Sequence, residues 1–155
     1  MSTQEQGLHV DRERLGNAGK SLFHTMRDIN PAQYGAIDAA TDKSWARVYF
    51  SPTECSSLPT GLRRFLIENA GEFVALSMHI VTYKKGNEFP FTIDINPLGA
   101  ARSQDVIGLS SSQEAASVDE LGEYGSKIKT NLDIASDTAE WISGIIEKRI
   151  SKQAA

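Results

Sequence analysis

The clearest pattern of apolar and polar positions in the chain is a pair of strand-like runs, over 73–83 and over 89–95. Between these runs lies Gly86-Asn87, a pair of residues that favours a tight turn. If this pair forms the turn, facing residues have numbers that sum to 173, and one face of the hairpin is apolar. That register predicts these cross-strand pairs: Thr82 with Phe91, Ile80 with Ile93 and Met78 with Ile95.

Other segments show the spacing of helices. Steps of three and four residues separate the apolar positions of 11–30, 60–70 and 132–150, as on one side of a helix. A capping-box spacing opens a further helix over 117–130, which would give a two-helix C-terminal segment. The run 45–50 is rich in aromatic and β-branched residues and predicts a strand. Two shorter elements are also predicted: a helix around 34–40 and a strand at Val106-Ile107.

This order of elements predicts an α+β domain. We expect a small antiparallel sheet of three to four strands, including the hairpin 73–95, covered by helices and followed by the two-helix C-terminal segment. Residues 1–10 are polar and are predicted to form a flexible tail. The single domain then covers residues 11–152.

Charge is unevenly distributed along the chain. The 155 residues carry 16 Lys+Arg and 20 Asp+Glu, a net charge of −4, which argues against a nucleic acid held by bulk positive charge. The excess lies in the second half, because 105–140 alone holds eight acidic residues against two lysines. Solvated helix faces would explain these acids, and so would a surface that attracts a basic protein partner. The predicted contacts of such a surface are Asp119, Glu120 and Glu123.

The single cysteine, Cys55, excludes an internal disulfide and fits a reducing compartment. The first residues are polar and show no apolar stretch typical of a signal peptide. No run approaches the roughly 18 apolar residues that a membrane span requires. These features predict a cytoplasmic protein without a membrane partner. A protein exported by an unconventional route would look the same.

One combination of residues is typical of nucleophilic catalysis. The hairpin register places His79 opposite Asp94, with Cβ atoms roughly 5 Å apart, so that the carboxylate can orient the imidazole. Cys55 lies in a predicted loop before the helix that Thr60 begins. In this hypothesis Cys55 is the nucleophile, His79 the base and then the acid, and Asp94 the orienting group. Against it, a lone cysteine is usually a small buried residue, and a register slip of one residue would move Asp94 to the other face.

Other kinds of site have less support. The three histidines are scattered, and none has a second ligand at the spacing of a zinc site. Gly19-Lys20-Ser21 ends like a phosphate-binding loop, but Arg14 occupies the place of the first glycine that such a loop requires. No cofactor and no metal are therefore predicted, and a small-ligand pocket over the sheet has no fingerprint.

The leading hypothesis is a small protein-binding domain that binds a specific partner through its acidic C-terminal half. Immunity proteins, antitoxin-like neutralisers and secretion chaperones have this size and charge. The alternative is a cysteine-nucleophile acyl-transfer enzyme, a deamidase or peptidase, with a triad of Cys55, His79 and Asp94. The two hypotheses differ in geometry, because the enzyme requires the thiol and the imidazole to meet in an open cleft. The oligomeric state is not predicted.

Overall fold

The computed structural model describes residues 2–28, 35–38, 43–100, 107–111, 127–128 and 132–154. Its helices are α1 (Ser2–Asp28), α2 (Pro52–Cys55), α3 (Thr60–Ala70) and α4 (Leu132–Ala154). Its strands are β1 (Gly35–Asp38), β2 (Lys43–Phe50), β3 (Ala75–Tyr83), β4 (Phe91–Leu98), β5 (Ile107–Ser110) and β6 (Lys127–Ile128). They form one sheet of six strands in chain order, antiparallel except between β5 and β6. The α+β class is confirmed, and the sheet is larger than the predicted three to four strands.

The hairpin formed by β3 and β4 has the predicted register. Lys85 and Glu88 exchange both backbone hydrogen bonds around the turn, and Gly86 adopts a φ of 62° that a side chain would disfavour. The three predicted cross-strand pairs are all present: Thr82 with Phe91, Ile80 with Ile93, and Met78 with Ile95. The prediction succeeded because alternation and turn chemistry are both local in the sequence.

Pro97 lies inside strand β4, although proline has no N–H group to donate within a sheet. Tyr83 donates its backbone N–H to the carbonyl of Pro90, so the odd-numbered residues of β4 direct their backbone groups towards β5. The pairing of β4 with β5 ends at Ile95 among the described residues. The N–H group that proline lacks therefore breaks no bond of the sheet.

One face of the sheet, which we call the inner face, is apolar and buried. Its side chains share one hydrophobic core with the apolar stripes of α1, α3 and α4. The even-numbered residues of β2 and β3 and the odd-numbered residues of β4 and β5 supply it: Ala46, Val48, Phe50, Leu76, Met78, Ile80, Phe91, Ile93, Ile95, Ile107 and Leu109. The hydrophobic effect of this burial is the main source of stability.

Helix α1 begins at Ser2, so residues 2–10 are helical and do not form the predicted tail. Gln and Glu, which are frequent there, are good helix formers. The helix also runs through Gly19, where a Cβ atom would collide with the carbonyl oxygen of Phe89. Glycine at this position lets α1 approach the residues that lead into β4. None of the described helices is long and apolar enough to cross a membrane.

Helices α1 and α4 pack against each other. Arg14 of α1 forms ion pairs with Asp137 and Glu140 of α4, the second at 2.7 Å. These hydrogen bonds raise the pKa of Arg14 above its ordinary value, so the guanidinium remains charged. These ion pairs therefore hold α4 in place against α1.

Two predicted elements are wrong. Residues 35–38, assigned to a short helix, form strand β1, because pairing with β2 overrides the weak local preference of small residues. Residues 127–128 form strand β6 beside β5 and do not continue a helix from 117. The remainder of that predicted helix falls in 112–126 and 129–130, outside the described residues.

Candidate functional site

The other face of the sheet, which we call the outer face, carries polar and aromatic side chains. Successive residues of a strand point to opposite sides, so this face is supplied by the residues that alternate with the inner face. Across β2, β3, β4 and β5 they are Trp45, Arg47, Tyr49, Ala75, Ser77, His79, Val81, Tyr83, Thr92, Asp94, Asn96, Leu98, Gly108 and Ser110. On this face, Thr92 of β4 and Ser110 of β5 are buried, whereas Arg47 and Tyr49 of β2 are exposed.

Arg47, His79 and Asp94 form one row across three neighbouring strands of the outer face. Arg47 is the register partner of His79, and His79 is the register partner of Asp94. The pairing of His79 with Asp94 is the one that the sequence predicts. Asp94 is only 7% exposed, His79 is half-buried and Arg47 is exposed. The row therefore leads from a buried carboxylate to an exposed guanidinium.

Two aromatic side chains flank Arg47 on the same strand. Trp45 and Tyr49 lie two residues to either side of it, about 7 Å away along β2. The indole of Trp45 contacts the imidazole of His79, with ring centroids 5.7 Å apart. Tyr49 is 54% exposed. Tryptophan, arginine and tyrosine are the residue types that contribute most to the energetic centres of protein interfaces.

The sequence contained a signal for these three residues. In β2 the apolar side chains of Ala46, Val48 and Phe50 alternate with Trp45, Arg47 and Tyr49, which is the pattern of a strand buried on one side only. The composition of 45–50 predicts the strand, and the alternation within it distinguishes the outward side. The register of β2 against β3 joins residues far apart in the chain, so no local pattern reveals that Arg47 meets His79.

Cys55 lies on the opposite side of the sheet from His79 and Asp94. It is 3% exposed and belongs to the hydrophobic core with the inner face. Its Sγ atom donates a hydrogen bond to the carbonyl oxygen of Phe50 at 3.6 Å. Burial raises the pKa of the Cys55 thiol, whereas a nucleophilic cysteine needs a lowered one. The structure brings His79 and Asp94 together and places Cys55 apart from both.

A short helix explains the position of Cys55. Ser51 and Glu54 form a capping box that begins α2, and Cys55 is the last residue of that helix. Arg149 of α4 donates hydrogen bonds of 2.8 and 2.7 Å to the Glu54 carboxylate, which hold the pKa of Glu54 below its ordinary value. The sequence predicts a loop here. The signal that was missed is the Ser-x-x-Glu spacing of the capping box.

The predicted partner contacts of the acidic segment lie outside the described residues: Asp119, Glu120 and Glu123. Three other acids of that segment are described, all on α4: Asp133 in its first turn, Asp137 and Glu140. Asp137 and Glu140 form ion pairs with Arg14, so their charges are partly neutralised within the protein. The described part of the acidic segment contributes to helix packing more than to a free acidic surface.

Comparison with models of known protein families, with curated proteins and with solved structures finds no match. Within the described residues, no three side chains of His, Cys, Asp or Glu come together as metal ligands would.

Proposed function

We propose that the protein is a protein-binding domain that recognises a specific partner through the β2 side of the outer face. The observation that carries this proposal is the placement of Trp45, Arg47 and Tyr49 side by side on one face of one strand. A sheet holds their backbone in place, so binding costs less conformational entropy than it would in a mobile loop. Their inward neighbours supply the core, which leaves the outward side chains available for contact.

The acidic segment is a second proposed contact with the same partner. Asp119, Glu120 and Glu123 would face a basic region of the partner and accelerate association through long-range attraction. Such rim charges change the association rate and its dependence on salt more than the final affinity. The two contacts can therefore be separated by kinetics.

Photo-crosslinking tests the location of the interface. A photoreactive p-benzoylphenylalanine replaces Tyr49 in cells that naturally produce the protein, and a matched variant carries it at Val74, which is 59% exposed beside β3. We expect a discrete adduct from position 49 and none from position 74. The absence of a discrete adduct at position 49, or equal adducts at both positions, would contradict the proposal.

Calorimetry with the purified partner then tests the individual side chains. Trp45→Ala and Tyr49→Ala should each weaken binding by about tenfold or more, as truncation of a hot-spot residue does. Cys55→Ala should leave the affinity unchanged because its side chain lies in the core. The triple change Asp119→Asn, Glu120→Gln and Glu123→Gln should slow association at low salt. Unchanged affinity in both aromatic variants would exclude the outer face as the interface.

A further inference from the structure

The two ends of strand β2 are held in different ways. Trp45, near the first end, is the register partner of Ala36 in β1. The pairing of β1 with β2 ends at Ala46, whereas β2 continues to Phe50. Within the part of the chain that the structure describes, the end of β2 that carries Tyr49 therefore pairs with a strand on one side only, with β3.

The backbone of Tyr49 points away from β3, towards this open side. Tyr83 donates its backbone N–H to the carbonyl of Pro90, so even-numbered residues of β3 direct their backbone groups towards β2. These residues face the even-numbered residues of β2, as Leu76 faces Phe50. The odd-numbered residues of β2 consequently direct their N–H and C=O groups away from β3. The carbonyl of Tyr49 thus needs a donor that β3 does not supply.

Arg149 of helix α4 supplies this donor. Its Nη2 atom donates to the carbonyl oxygen of Tyr49 at 2.7 Å. The same guanidinium donates to both carboxylate oxygens of Glu54, at 2.8 and 2.7 Å. It also lies over the ring of Phe50, 5.2 Å from the centroid. One side chain of α4 therefore holds both the backbone and a neighbouring ring at the end of β2.

Glu54 fixes the direction of this guanidinium. Its Oε1 atom accepts the backbone N–H of Ser51 at 3.0 Å, and the Ser51 hydroxyl accepts the backbone N–H of Glu54 at 3.2 Å. Only 23% of the Arg149 side chain and 24% of the Glu54 side chain are exposed. A bidentate pair that is shielded in this way has a defined geometry. The guanidinium is thus aimed at Tyr49 before any partner binds.

We propose that Arg149 is a positioning residue for the interface. By holding the carbonyl of Tyr49, it fixes the end of β2 and with it the direction in which the Tyr49 side chain leaves the outer face. A side chain that is already ordered loses less conformational entropy on binding. Trp45 does not depend on Arg149, because β1 supports it. This inference rests on the proposed protein-binding function and adds a residue of α4 to it.

Amide hydrogen exchange followed by NMR tests the positioning in the free protein. Arg149→Met should speed the exchange of the Phe50 N–H by about three- to tenfold relative to that of Ala46, since only the end of β2 is loosened. Ile80→Val is the matched control, because it weakens the core without touching this contact. It should leave the ratio of the two exchange rates unchanged. An unchanged ratio in Arg149→Met would overturn the positioning role.

Binding is tested with dodecapeptides selected from a random phage library on the purified native protein. The probes are the peptides that Tyr49→Ala weakens without abolishing their binding. Arg149→Met should weaken these peptides by about three- to tenfold. Arg149→Lys should cost less, because lysine can still donate to the Tyr49 carbonyl although it cannot form the bidentate pair.

Double variants show whether the effect acts through Tyr49. In the Tyr49→Ala background, Arg149→Met should weaken binding little further, whereas in the Trp45→Ala background it should have its full effect. Equal effects in the two backgrounds would overturn the positioning role. If Arg149→Met does not fold, Glu54→Gln provides the test, because it keeps the guanidinium and weakens the pair that directs it. Glu54→Gln should then show the same losses to a smaller extent.

The outcomes separate this inference from the proposed function. Peptides that require Tyr49 but bind Arg149→Met as tightly as the native protein would overturn the positioning role and leave the protein-binding function standing. An equal loss of affinity in Ile80→Val would assign the effect to general destabilisation and overturn the role as well. A library without peptides that depend on Trp45 or Tyr49 would count against the proposed function, and hydrogen exchange at Phe50 then decides the positioning role.

Discussion

The two faces of the central sheet are built from alternate residues of the same strands, yet they differ in almost every physical respect. The inner face is apolar and belongs to the hydrophobic core. Across the outer face, solvent exposure increases from the buried Asp94 to the exposed Arg47 and Tyr49. In β3, Ile80 of the inner face is the immediate neighbour of His79 of the outer face. The core that stabilises the fold and the proposed partner contacts thus lie on different sides of one backbone, and substitutions can separate their effects.

The largest effect on stability is expected on the inner face. Ile80 is fully buried, and Ile80→Ala should lower the free energy of unfolding by about 2–5 kcal/mol through lost burial and a cavity. Ile80→Val is the matched control and should cost only about 0.5–1.5 kcal/mol. Urea denaturation at pH 7 measures both. Equal costs for the two variants would mean that the site collapses around the missing atoms.

The next effect concerns how closely α1 approaches the strands. Gly19→Ala should destabilise the protein by about 1–3 kcal/mol, because its Cβ would collide with the carbonyl oxygen of Phe89. Gly16 is three residues earlier in the same helix, and its Cβ would meet nothing within 4 Å. Gly16→Ala should therefore stabilise the helix by about 0.5–1 kcal/mol. Opposite signs in thermal unfolding support the close approach, and equal signs contradict it.

A pH-dependent effect is expected where α2 meets α4. The pKa of Glu54 is lowered in the folded state, mainly by the hydrogen bonds from Arg149. The ion pair therefore stabilises the protein above the ordinary carboxyl pKa, and this contribution is lost as the pH falls through the folded-state pKa. Because solvent screens this ion pair, Arg149→Met should lower the free energy of unfolding by only about 1 kcal/mol at pH 7.

This expectation is checked by urea denaturation between pH 7 and pH 3. The difference between the native protein and Arg149→Met should shrink as the pH falls. Glu54→Gln removes the titrating group and should flatten the pH dependence that Arg149 introduces. A difference that stays constant with pH would assign the effect of Arg149 to packing against Phe50, over which its guanidinium lies.

The smallest effect on stability is expected on the outer face. Arg47→Gln and Tyr49→Ala remove exposed side chains and should change the free energy of unfolding by less than about 0.5 kcal/mol. Both variants are measured under the same conditions as the Ile80 variants. A loss larger than about 1.5 kcal/mol would show that this face is structural, since it would exceed what exposed residues contribute.

How much of the fold can be predicted from the sequence depends on how far apart along the chain the interacting residues lie. The β3–β4 hairpin, including the pairing of His79 with Asp94, was predictable because a tight turn and one nearly apolar face define its register. Strand β1 was not predictable, since its residues have only a weak local preference and it depends on pairing with β2. Local patterns also predicted that β2 is a strand, but they did not predict that it pairs with β3.

The prediction of the candidate site was limited in the same way, by contacts between residues that are far apart in the chain. Sequence spacing brought His79 and Asp94 together correctly, but it also grouped them with Cys55, which faces the core. A capping box and an ion pair to Arg149, 95 residues away, decide where Cys55 lies. Arg47 was overlooked because its partner in the row is contributed by a strand beyond two intervening helices.

The packing of α1 on α4 has a consequence for biosynthesis. Arg14 and its carboxylate partners are 123 and 126 residues apart, so the first helix cannot complete its packing until the last helix has left the ribosome. At about 5–20 residues per second, that interval is on the order of ten seconds. During this time the apolar stripe of α1 lacks its native neighbour. Transiently exposed apolar surface promotes aggregation, so a translational pause before α4 would prolong the period in which the nascent chain is vulnerable.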